Sequence, residues 1–391
     1  MASSDQGQGA NGIVSRIWTG GQEEGKMSKS IVLTGGGTAG HVYPALALAE
    51  KLGADGYDVH FAGTPHGIES RIVPDAGHHF ESFESSGFDR SHPASLISGI
   101  SKILKSTKKA KRWFKEITPS AVVSFGGYVS IPVARAAEKS GIPVIVHEQN
   151  SVMGMANKYI SKKARMVCLT YEEAVEYVPE GVSYTITGNP VRQALVSTTR
   201  EEGRKYLGLP DDVCVCVVFG GSGGARHINQ AIAGMKDDLL AQDNLCVIHI
   251  TGNKEFDSVV EDLSLTDDEA KSWRVIAYED EMPKVLSAAD VVVSRAGATS
   301  LAEISAKCIP AVLIPYPYAT NDHQRINARS YASSGAAMVI DDADLDTDDF
   351  RAAVLSIVGD EALREEMREA ARSLGQTDAA SALAKAVEEN L

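Results

Sequence analysis

The sequence predicts an α/β protein with two doubly wound, Rossmann-like domains that face each other across a cleft. Short runs of valine, isoleucine and other apolar residues alternate with helical patterns, which is typical of parallel strands buried on both faces. The alternation starts twice, each time with a strand, a glycine-rich turn and a helix. We therefore expect one parallel sheet in each half of the chain.

The candidate strands form two sets of six. Those of the first half are SIVLTGG, YDVHFAG, HFESFE, AVVSFGG, PVIVHEQ and MVCLT. Those of the second half are VCVCVVFGG, CVIHITG, RVIAYE, VVVSRAG, AVLIPYP and AAMVID. The motif GNPVR separates the sets, so we predict a first domain over residues 27–190 and a second over 191–369. Ligands of such sheets bind beyond the carboxyl ends of the strands, which places the functional site in the cleft.

Residues 1–26 are rich in glycine, glutamine and serine and have no sustained apolar period. So few apolar side chains cannot offset the entropy lost on ordering. We predict that this segment is a disordered extension or the remnant of an expression vector.

Composition excludes several classes of protein. No stretch reaches the ~18 apolar residues of a membrane-spanning helix, and the five cysteines lack metal-site spacing, which indicates a reduced, cytosolic compartment. The net charge of −14 is uneven: residues 27–190 hold 17 Lys and Arg against 15 Asp and Glu, whereas residues 191–391 hold 19 against 34. So acidic a second half argues against a nucleic-acid-binding protein.

The first glycine turn, in VLTGGGTAGHVYPALALAEKL, matches the dinucleotide fingerprint G-x-G-x-x-G. A dehydrogenase of this type needs an acidic residue at the end of the second strand to bind ribose, and this strand ends at Gly63 and Thr64. The sequence of this turn instead predicts that backbone amides and Thr38 face a ligand at the N-terminus of the helix that follows. His41, on the first helical turn, is either a capping or packing residue or a general base.

The second glycine turn, GGSGG at residues 220–224, precedes a helix from Ala225. Four glycines in five positions free the backbone to wrap an anion, and the helix adds its positive end. Because the motif lacks the Lys-Ser/Thr of a triphosphate P-loop, a diphosphate suits it better. A plain strand-to-helix turn is the alternative.

The third chemistry-bearing stretch runs over residues 294–328. Thr299 or Ser300 is expected to cap a helix that carries Glu303, which either accepts both hydroxyls of a ribose or complements the helix dipole. Polar residues crowd the segment NDHQRINA after the next strand. They suit the hydroxyls of a sugar, or they form a solvated loop. The acidic segment DDADLDTDD from residue 341 contains D-x-D matches, but we interpret it as a solvated linker and predict no metal site.

The segment SHPASLISGISKILKSTKKAKRWFKEI at residues 91–117 is basic and amphipathic, with seven Lys and Arg between residues 102 and 115. In so acidic a protein it indicates contact with an anionic membrane surface, with a solvated basic helix face as the alternative. The predicted membrane contacts are Ile97, Ile100, Lys102, Leu104, Lys105, Lys109, Trp113 and Phe114.

Taken together, these residues resemble the MurG family of peptidoglycan glycosyltransferases. The resemblance spans residues 27 to about 340 through GGGTAGHVYPALALAE, SFGGYVSIP, HEQNSVMGMANK, GNPVR, GGSGGAR and AEI…DHQ..NA, in the expected order. It implies a GT-B arrangement, with C-terminal helices at about 370–391 crossing back to the first domain. It also implies inverting transfer of N-acetylglucosamine from UDP-N-acetylglucosamine to the 4-hydroxyl of undecaprenyl-diphosphate-linked N-acetylmuramoyl-pentapeptide, without a cofactor.

The resemblance also implies roles for individual residues. His41 is the expected base, and the Ser222 loop, helix N-termini and Arg192 meet the charge of the leaving UDP in place of a metal. The donor-binding residues are Thr38, Ala39, Gly40, His41, Asn150, Arg192, Ser222, Gly223, Glu303, His323 and Gln324. Of these, Glu303 would hold the ribose. The acceptor-side residues are Gly36, Gly37, Ser86, Gly87, Gly126, Gly127 and Tyr128. Two positions depart from the family pattern: Ala39 stands where many relatives have glycine, and DHQ replaces the paired glutamines of some members.

The implied partners are the UDP-sugar, the lipid-linked acceptor, an anionic membrane surface and other cell-wall synthesis or division proteins, at the cytoplasmic face of the bacterial plasma membrane. Three alternatives remain open. The first is an NAD-dependent oxidoreductase, for which the fingerprint is the only support. The second is a UDP-N-acetylglucosamine 2-epimerase, which would act on the donor without an acceptor. A non-catalytic nucleotide-sugar sensor would bind the donor without releasing UDP.

Overall fold

The computed structural model describes residues 29–85, 93–221, 223–373 and 378–391, and for residues 93–98 the backbone alone. The predicted extension over residues 1–26 lies outside this part of the chain, as do Ser86, Gly87 and Ser222 and the side chain of Ile97. The described residues form two parallel sheets, each flanked by helices.

The first sheet has seven strands in the order β3-β2-β1-β4-β5-β6-β7, all parallel. The strands are β1 Ser30–Gly35, β2 Asp58–Gly63, β3 His79–Ser82, β4 Ala121–Gly126, β5 Val144–Glu148, β6 Met166–Leu169 and β7 Ser183–Ile186. The helices between them are α1 Ala39–Ala54, α2 Glu69–Asp75, α3 Pro93–Ile117, α4 Ser130–Glu138 and α5 Met155–Ile160.

The second sheet has six parallel strands in the order β10-β9-β8-β11-β12-β13. They are β8 Cys214–Phe219, β9 Leu245–Ile250, β10 Trp273–Ile276, β11 Val291–Arg295, β12 Ala311–Ile314 and β13 Ala337–Val339. The helices that follow β7 in the chain are α6 Gln193–Ser197, α7 Arg200–Leu207, α8 Arg226–Ala233, α9 Lys236–Leu240, α10 Phe256–Leu263, α11 Glu269–Ser272, α12 Met282–Ala288, α13 Ala298–Ala306, α14 His323–Ala332, α15 Asp348–Gly359, α16 Glu361–Arg372 and α17 Ala379–Glu388.

The strand order confirms the predicted fold class. In each sheet the first strand of the domain lies at the point where the order reverses, and the glycine turn follows that strand. Strands β1, β4 and β8 are almost fully buried, as their continuous apolar runs predict. Strand β7 was not among the predicted strands, because SYTI has no apolar run and lies at the edge of the sheet with Tyr184 half exposed.

The last helix returns to the first domain. Leu383 and Val387 of α17 are fully buried and belong to the apolar core formed by α1 and the first sheet. Helices α15 and α16 pack against the second domain through side chains that include Phe350 and Met367.

The amphipathic helix α3 contacts its own domain on one face. Phe114 is buried, and Trp113 packs against Phe83 and His60. Lys109 Nζ lies 2.5 Å from Glu81 and 2.6 Å from the carbonyl oxygen of Ser82. The prediction that Phe114 contacts a membrane is therefore wrong, because this side chain is part of the core. For Trp113 and Lys109, which are only partly buried, membrane contact stays a prediction.

A hydrogen-bonded contact joins the two domains. Asn327 of α14 is fully buried, and its Oδ1 accepts hydrogen bonds from the backbone nitrogen and the hydroxyl of Ser151, at 3.0 and 2.8 Å. The Nδ2 of Asn327 donates to Oδ1 of Asn150 at 3.4 Å. Residues 149–151 lie beyond the carboxyl end of β5, so the contact lies at the edge of the cleft.

A buried ion pair joins two elements of the second domain. Asp290 Oδ2 accepts hydrogen bonds from Arg204 and from the backbone nitrogen of Val215, at 2.7 and 2.9 Å, and Oδ1 accepts one from Arg200 at 2.6 Å. The side chain of Arg204 is only 2% exposed. Asp290 thereby connects α7 to the start of β8.

Replacement of Asp290 by asparagine should lower the free energy of unfolding by about 3–5 kcal/mol, because a buried guanidinium loses its counter-charge. Urea denaturation followed by circular dichroism measures this change. The matched control is Asp268→Asn, which removes a 91% exposed carboxylate paired with Lys271 and should change stability by less than about 0.5 kcal/mol. Equal effects of the two variants would contradict the proposed importance of the buried pair.

Candidate functional site

A cleft of about 610 Å³ lies between the carboxyl ends of the two sheets, and both domains line it. Most of the predicted site residues meet there. The predicted residues that line the cleft are Thr38, Ala39, Gly40, His41, Gly126, Gly127, Tyr128, Asn150, Arg192, Glu303, His323 and Gln324. Gly36 and Gly37 lie behind this wall, and Gly223 belongs to the second glycine turn, of which Gly221 lines the cleft.

The first glycine turn is packed against the turn that follows β4. A Cβ at Gly127 would lie only 2.6 Å from the carbonyl oxygen of Gly36, and Gly126 and Gly127 both have positive φ. Glycine is required at this close approach because a side chain would separate the two turns. The turns following β1 and β4 therefore form one continuous wall of the cleft.

The contacts of His41 determine which ring nitrogen carries the proton. His41 Nδ1 lies 2.9 Å from the carbonyl oxygen of Gly36, with the hydroxyl of Thr38 at 3.3 Å. A carbonyl oxygen only accepts hydrogen bonds, so Nδ1 of the neutral ring is the donor. Nε2 then carries a lone pair, and it lies against Gly126 at the wall of the cleft. An unprotonated ring nitrogen of this kind is able to accept a proton.

A buried carboxylate shapes the neighbouring HEQN loop. Glu148 is 2% exposed, and its oxygens accept hydrogen bonds from the backbone nitrogens of Asn150 and Gly154 and from Nδ2 of Asn157, at 3.1, 3.0 and 3.0 Å. These bonds hold Asn150 at the cleft. Both oxygens of Glu148 are satisfied, so it acts here as a structural carboxylate.

The opposite wall contains a buried acid–base pair. Glu303 lies on α13, and its Oε1 is 3.6 Å from the guanidinium of Arg192. Burial raises the pKa of Glu303, and Arg192 acts against this shift. The Arg192 guanidinium also stacks on Tyr43 of the first domain, with 4.4 Å to the ring centroid. Burial, followed by the neighbouring Tyr278, raises the pKa of Tyr43 to about 12.

The expected caps of α13 are wrong. Gly297 is the N-cap residue, no side chain caps this helix, and Thr299 lies within it. The hydroxyl of Thr299 instead donates to the carbonyl oxygen of Gly40 across the cleft, at 3.4 Å. Thr299 therefore adds a contact between the domains.

The DHQ segment is presented by a strained backbone. Asn321 and Asp322 both have left-handed conformations, with φ of 54° and 55°, which non-glycine residues adopt at a cost. His323 Nδ1 donates to the carbonyl oxygen of Thr320 at 2.8 Å, and Gln324 Oε1 accepts from the backbone nitrogen of Tyr316 at 3.0 Å. This bond fixes the orientation of the Gln324 amide, so that its Nε2 can donate a hydrogen bond to a ligand.

The acidic segment after β13 is more ordered than the predicted linker. Asp342 lies 2.5 Å from Arg295 and 2.9 Å from Nδ1 of His227 on α8. The hydrogen bond to Asp342 raises the pKa of His227. Asp342 therefore braces α8 against the end of β11. Arg325 is likewise paired with Asp322 and Asp341 and does not line the cleft.

Sequence reasoning missed several cleft residues, which are Tyr43, Met153, Met155, Asn157, Phe219, Tyr278, Glu279, Asp280 and Met282. Residues 278–282 had a usable signal, because they lie at or just beyond the carboxyl end of the predicted strand RVIAYE, where parallel sheets bind ligands. Within the described ranges, no three His, Cys, Asp or Glu residues are grouped as metal ligands. Nor does any helix there have the length and apolar character to span a membrane.

Comparison with known proteins agrees with this architecture. The Glycosyltransferase family 28 N-terminal domain matches residues 31–169, and the family's C-terminal domain matches residues 215–385. A Bacillus subtilis protein is 40% identical over 361 residues, covering 92% of this chain and 99% of its own. A Halothermothrix orenii protein is 37% identical over 364 residues, covering 92% and 98%.

Both relatives are named UDP-N-acetylglucosamine–N-acetylmuramyl-(pentapeptide) pyrophosphoryl-undecaprenol N-acetylglucosamine transferase. The crystal structure of Acinetobacter baumannii MurG superposes with a TM-score of 0.71 at 28% identity, covering 92% of this chain and 99% of that one. The recognition from sequence is confirmed: this chain belongs to the MurG family of glycosyltransferases.

Proposed function

We propose that this protein transfers N-acetylglucosamine from UDP-N-acetylglucosamine to the 4-hydroxyl of an undecaprenyl-diphosphate-linked N-acetylmuramoyl-pentapeptide in peptidoglycan synthesis. One observation carries the proposal. His41, with its lone pair on Nε2, lines the cleft from the first domain, and the Arg192–Glu303 pair lines the same cleft from the second. The relatives of this chain bear the name of this transferase. An acceptor activated on one side can then attack a donor held on the other.

The donor is proposed to bind mainly to the second domain. Glu303 accepts hydrogen bonds from the ribose hydroxyls, and Arg192 and the turn at residues 220–224 face the diphosphate. Helix α8 directs its N-terminus towards this turn and supplies positive potential without a metal. His323 and Gln324 are placed to contact the sugar, and Asn150 completes the donor site.

The acceptor is proposed to bind along the joined turns that follow β1 and β4. His41 Nε2 takes the proton of the 4-hydroxyl while that oxygen bonds to the anomeric carbon. The bond from the anomeric carbon to the phosphate oxygen breaks, its electron pair leaves with UDP, and the configuration inverts. Arg192 and the α8 N-terminus stabilise the charge that develops on the diphosphate.

Since the acceptor is lipid-linked, we place the protein at the cytoplasmic face of the bacterial plasma membrane, where it can meet other cell-wall synthesis or division proteins. The exposed face of α3 supports this. Ile100 and Leu104 are each 53% exposed, one helical turn apart, and Lys102, Lys105, Lys108, Lys111 and Arg112 lie on the same helix. This pattern fits an anionic surface.

Label from UDP-N-acetylglucosamine should enter the organic phase when the lipid-linked acceptor is present, and EDTA should not prevent it, because Arg192 and helix termini supply the positive charge. Scintillation counting of the extracted lipid measures transfer. Donor consumed without acceptor would instead indicate the 2-epimerase, and UDP-sugar binding without UDP release would indicate a sensor. An absorbance change at 340 nm with NAD would indicate the oxidoreductase.

The variant His41→Ala should lower kcat by a factor of about 10²–10⁴, the usual contribution of a general base, and leave the affinity for UDP within about twofold. Steady-state transfer kinetics and calorimetric titration with UDP measure the two quantities. His66→Ala is the matched control, since this exposed histidine of the same domain lies outside the cleft. Unchanged kcat in the His41 variant would exclude it as the base.

The double variant Ile100→Glu/Leu104→Glu should weaken binding to anionic vesicles by about tenfold or more, because two apolar side chains leave the interface and negative charge is added. Vesicle co-sedimentation at increasing salt measures binding, and wild-type binding should fall as salt rises. Val260→Glu is the control, since Val260 is 45% exposed on the second domain. Equal binding by the double variant and this control would contradict the assignment of α3.

A further inference from the structure

Glu69, which the proposed reaction does not use, lies directly behind the first glycine turn. It is the first residue of α2 and is only 1% exposed. Strand β2 ends at Gly63, so the chain brings this carboxylate back towards the turn within six residues. The acid that a dinucleotide fold carries at the end of its second strand is absent, and Glu69 takes a different position.

The Glu69 carboxylate is held by three hydrogen bonds. Oε2 accepts from the backbone nitrogen of Gly37 at 3.2 Å, and Oε1 accepts from the backbone nitrogen and hydroxyl of Thr64 at 2.9 and 2.6 Å. A buried carboxylate requires such donors. The Gly37 N–H is therefore engaged by the protein itself.

Shape also connects Glu69 to the turn. A Cβ at Gly36 or at Gly67 would overlap the carboxylate oxygens of Glu69. On its other side, Gly36 meets Gly127 of the turn after β4. The Gly36 peptide is thus confined between the Glu69 carboxylate and a second backbone, with little freedom to rotate.

The Gly36 carbonyl oxygen accepts the hydrogen bond that the protonated Nδ1 of His41 donates, at 2.9 Å. Rotation of the Gly36 peptide would remove this acceptor, and the ring would lose the contact that keeps its lone pair on Nε2. Each link from the carboxylate to the imidazole is a direct contact: Glu69 to Gly36 and Gly37, then Gly36 to His41.

We infer that Glu69 is a positioning residue that fixes the first glycine turn, and through the Gly36 carbonyl oxygen fixes the tautomer and orientation of His41. The inference rests on the proposed function only for its kinetic consequence. It also explains why the fingerprint match does not create a dinucleotide site: a buried negative charge lies behind the turn and occupies one of its amide donors.

The test compares Glu69→Gln, which replaces the carboxyl group at nearly constant shape, with Thr64→Val. The second variant removes the hydroxyl that donates to Glu69 at 2.6 Å and accepts from the backbone nitrogen of Gly67 at 3.1 Å. Asp75→Asn is the matched control, because it lies on the same helix with a 67% exposed side chain. Two readouts are used. Steady-state kinetics gives kcat and the donor KM, and long-range ¹H–¹⁵N spectra of histidine-labelled protein give the tautomer of His41, assigned with His41→Ala.

In wild-type protein the His41 signals should show the Nδ1–H tautomer, and in Glu69→Gln they should show a mixture. The same variant should lower kcat about tenfold or more, as misplacement of a catalytic group does, while the donor KM and the affinity for UDP stay within about twofold. Thr64→Val should change both readouts in the same direction but less, and Asp75→Asn should match wild type.

Unchanged His41 signals and kcat in Glu69→Gln would overturn the inference. So would a parallel loss of kcat and UDP affinity, which would indicate general damage to the fold. If Glu69→Gln does not fold, Thr64→Val decides by the same criteria. The spectra need no turnover, so absence of transfer by wild-type protein would refute the proposed function while the tautomer still tests the role of Glu69.

Discussion

The buried amide of Asn327 is the contact on which the cleft depends. It joins α14 of the second domain to Ser151 of the first and orients Asn150 beside it. Because the side chain is fully buried, loss of either partner would leave polar groups unpaired, which costs more than the bond itself contributes. Two domains with separate cores thereby acquire a defined relative position, and residues from both sheets can address one ligand.

Buried carboxylates perform three different tasks in this molecule. Glu148 and Glu69 accept hydrogen bonds from both backbone N–H groups and side-chain donors, and they shape the loops of the first domain. Asp290 neutralises a buried arginine and joins a helix to a strand. Glu303 has a raised pKa and a single 3.6 Å ion pair, so it retains acceptor capacity for a ligand. The number of donors around each carboxylate separates structural acids from one that can bind.

Local pattern was sufficient for both sheets except the edge strand β7, and for the position of both glycine turns, since continuous apolar runs and glycine clusters are decided by near neighbours in sequence. It failed where a distant partner decides the outcome. Phe114 looked like a membrane contact because an amphipathic stripe does not reveal what covers it. Asp342 looked solvated because Arg295 and His227 are remote in sequence, and Tyr43 was missed because its partners Arg192 and Tyr278 come from other elements.

Helix α17 links the end of the chain to its beginning. The core around α1 includes Leu383 and Val387, so the first domain contains residues that follow its first strand, Ser30–Gly35, by about 350 positions in the chain. During synthesis this core stays incomplete until α17 has emerged from the ribosome, although domains usually fold as they emerge. The amino-terminal half must therefore wait with part of its apolar surface uncovered, although its strands precede those of the second domain in the chain.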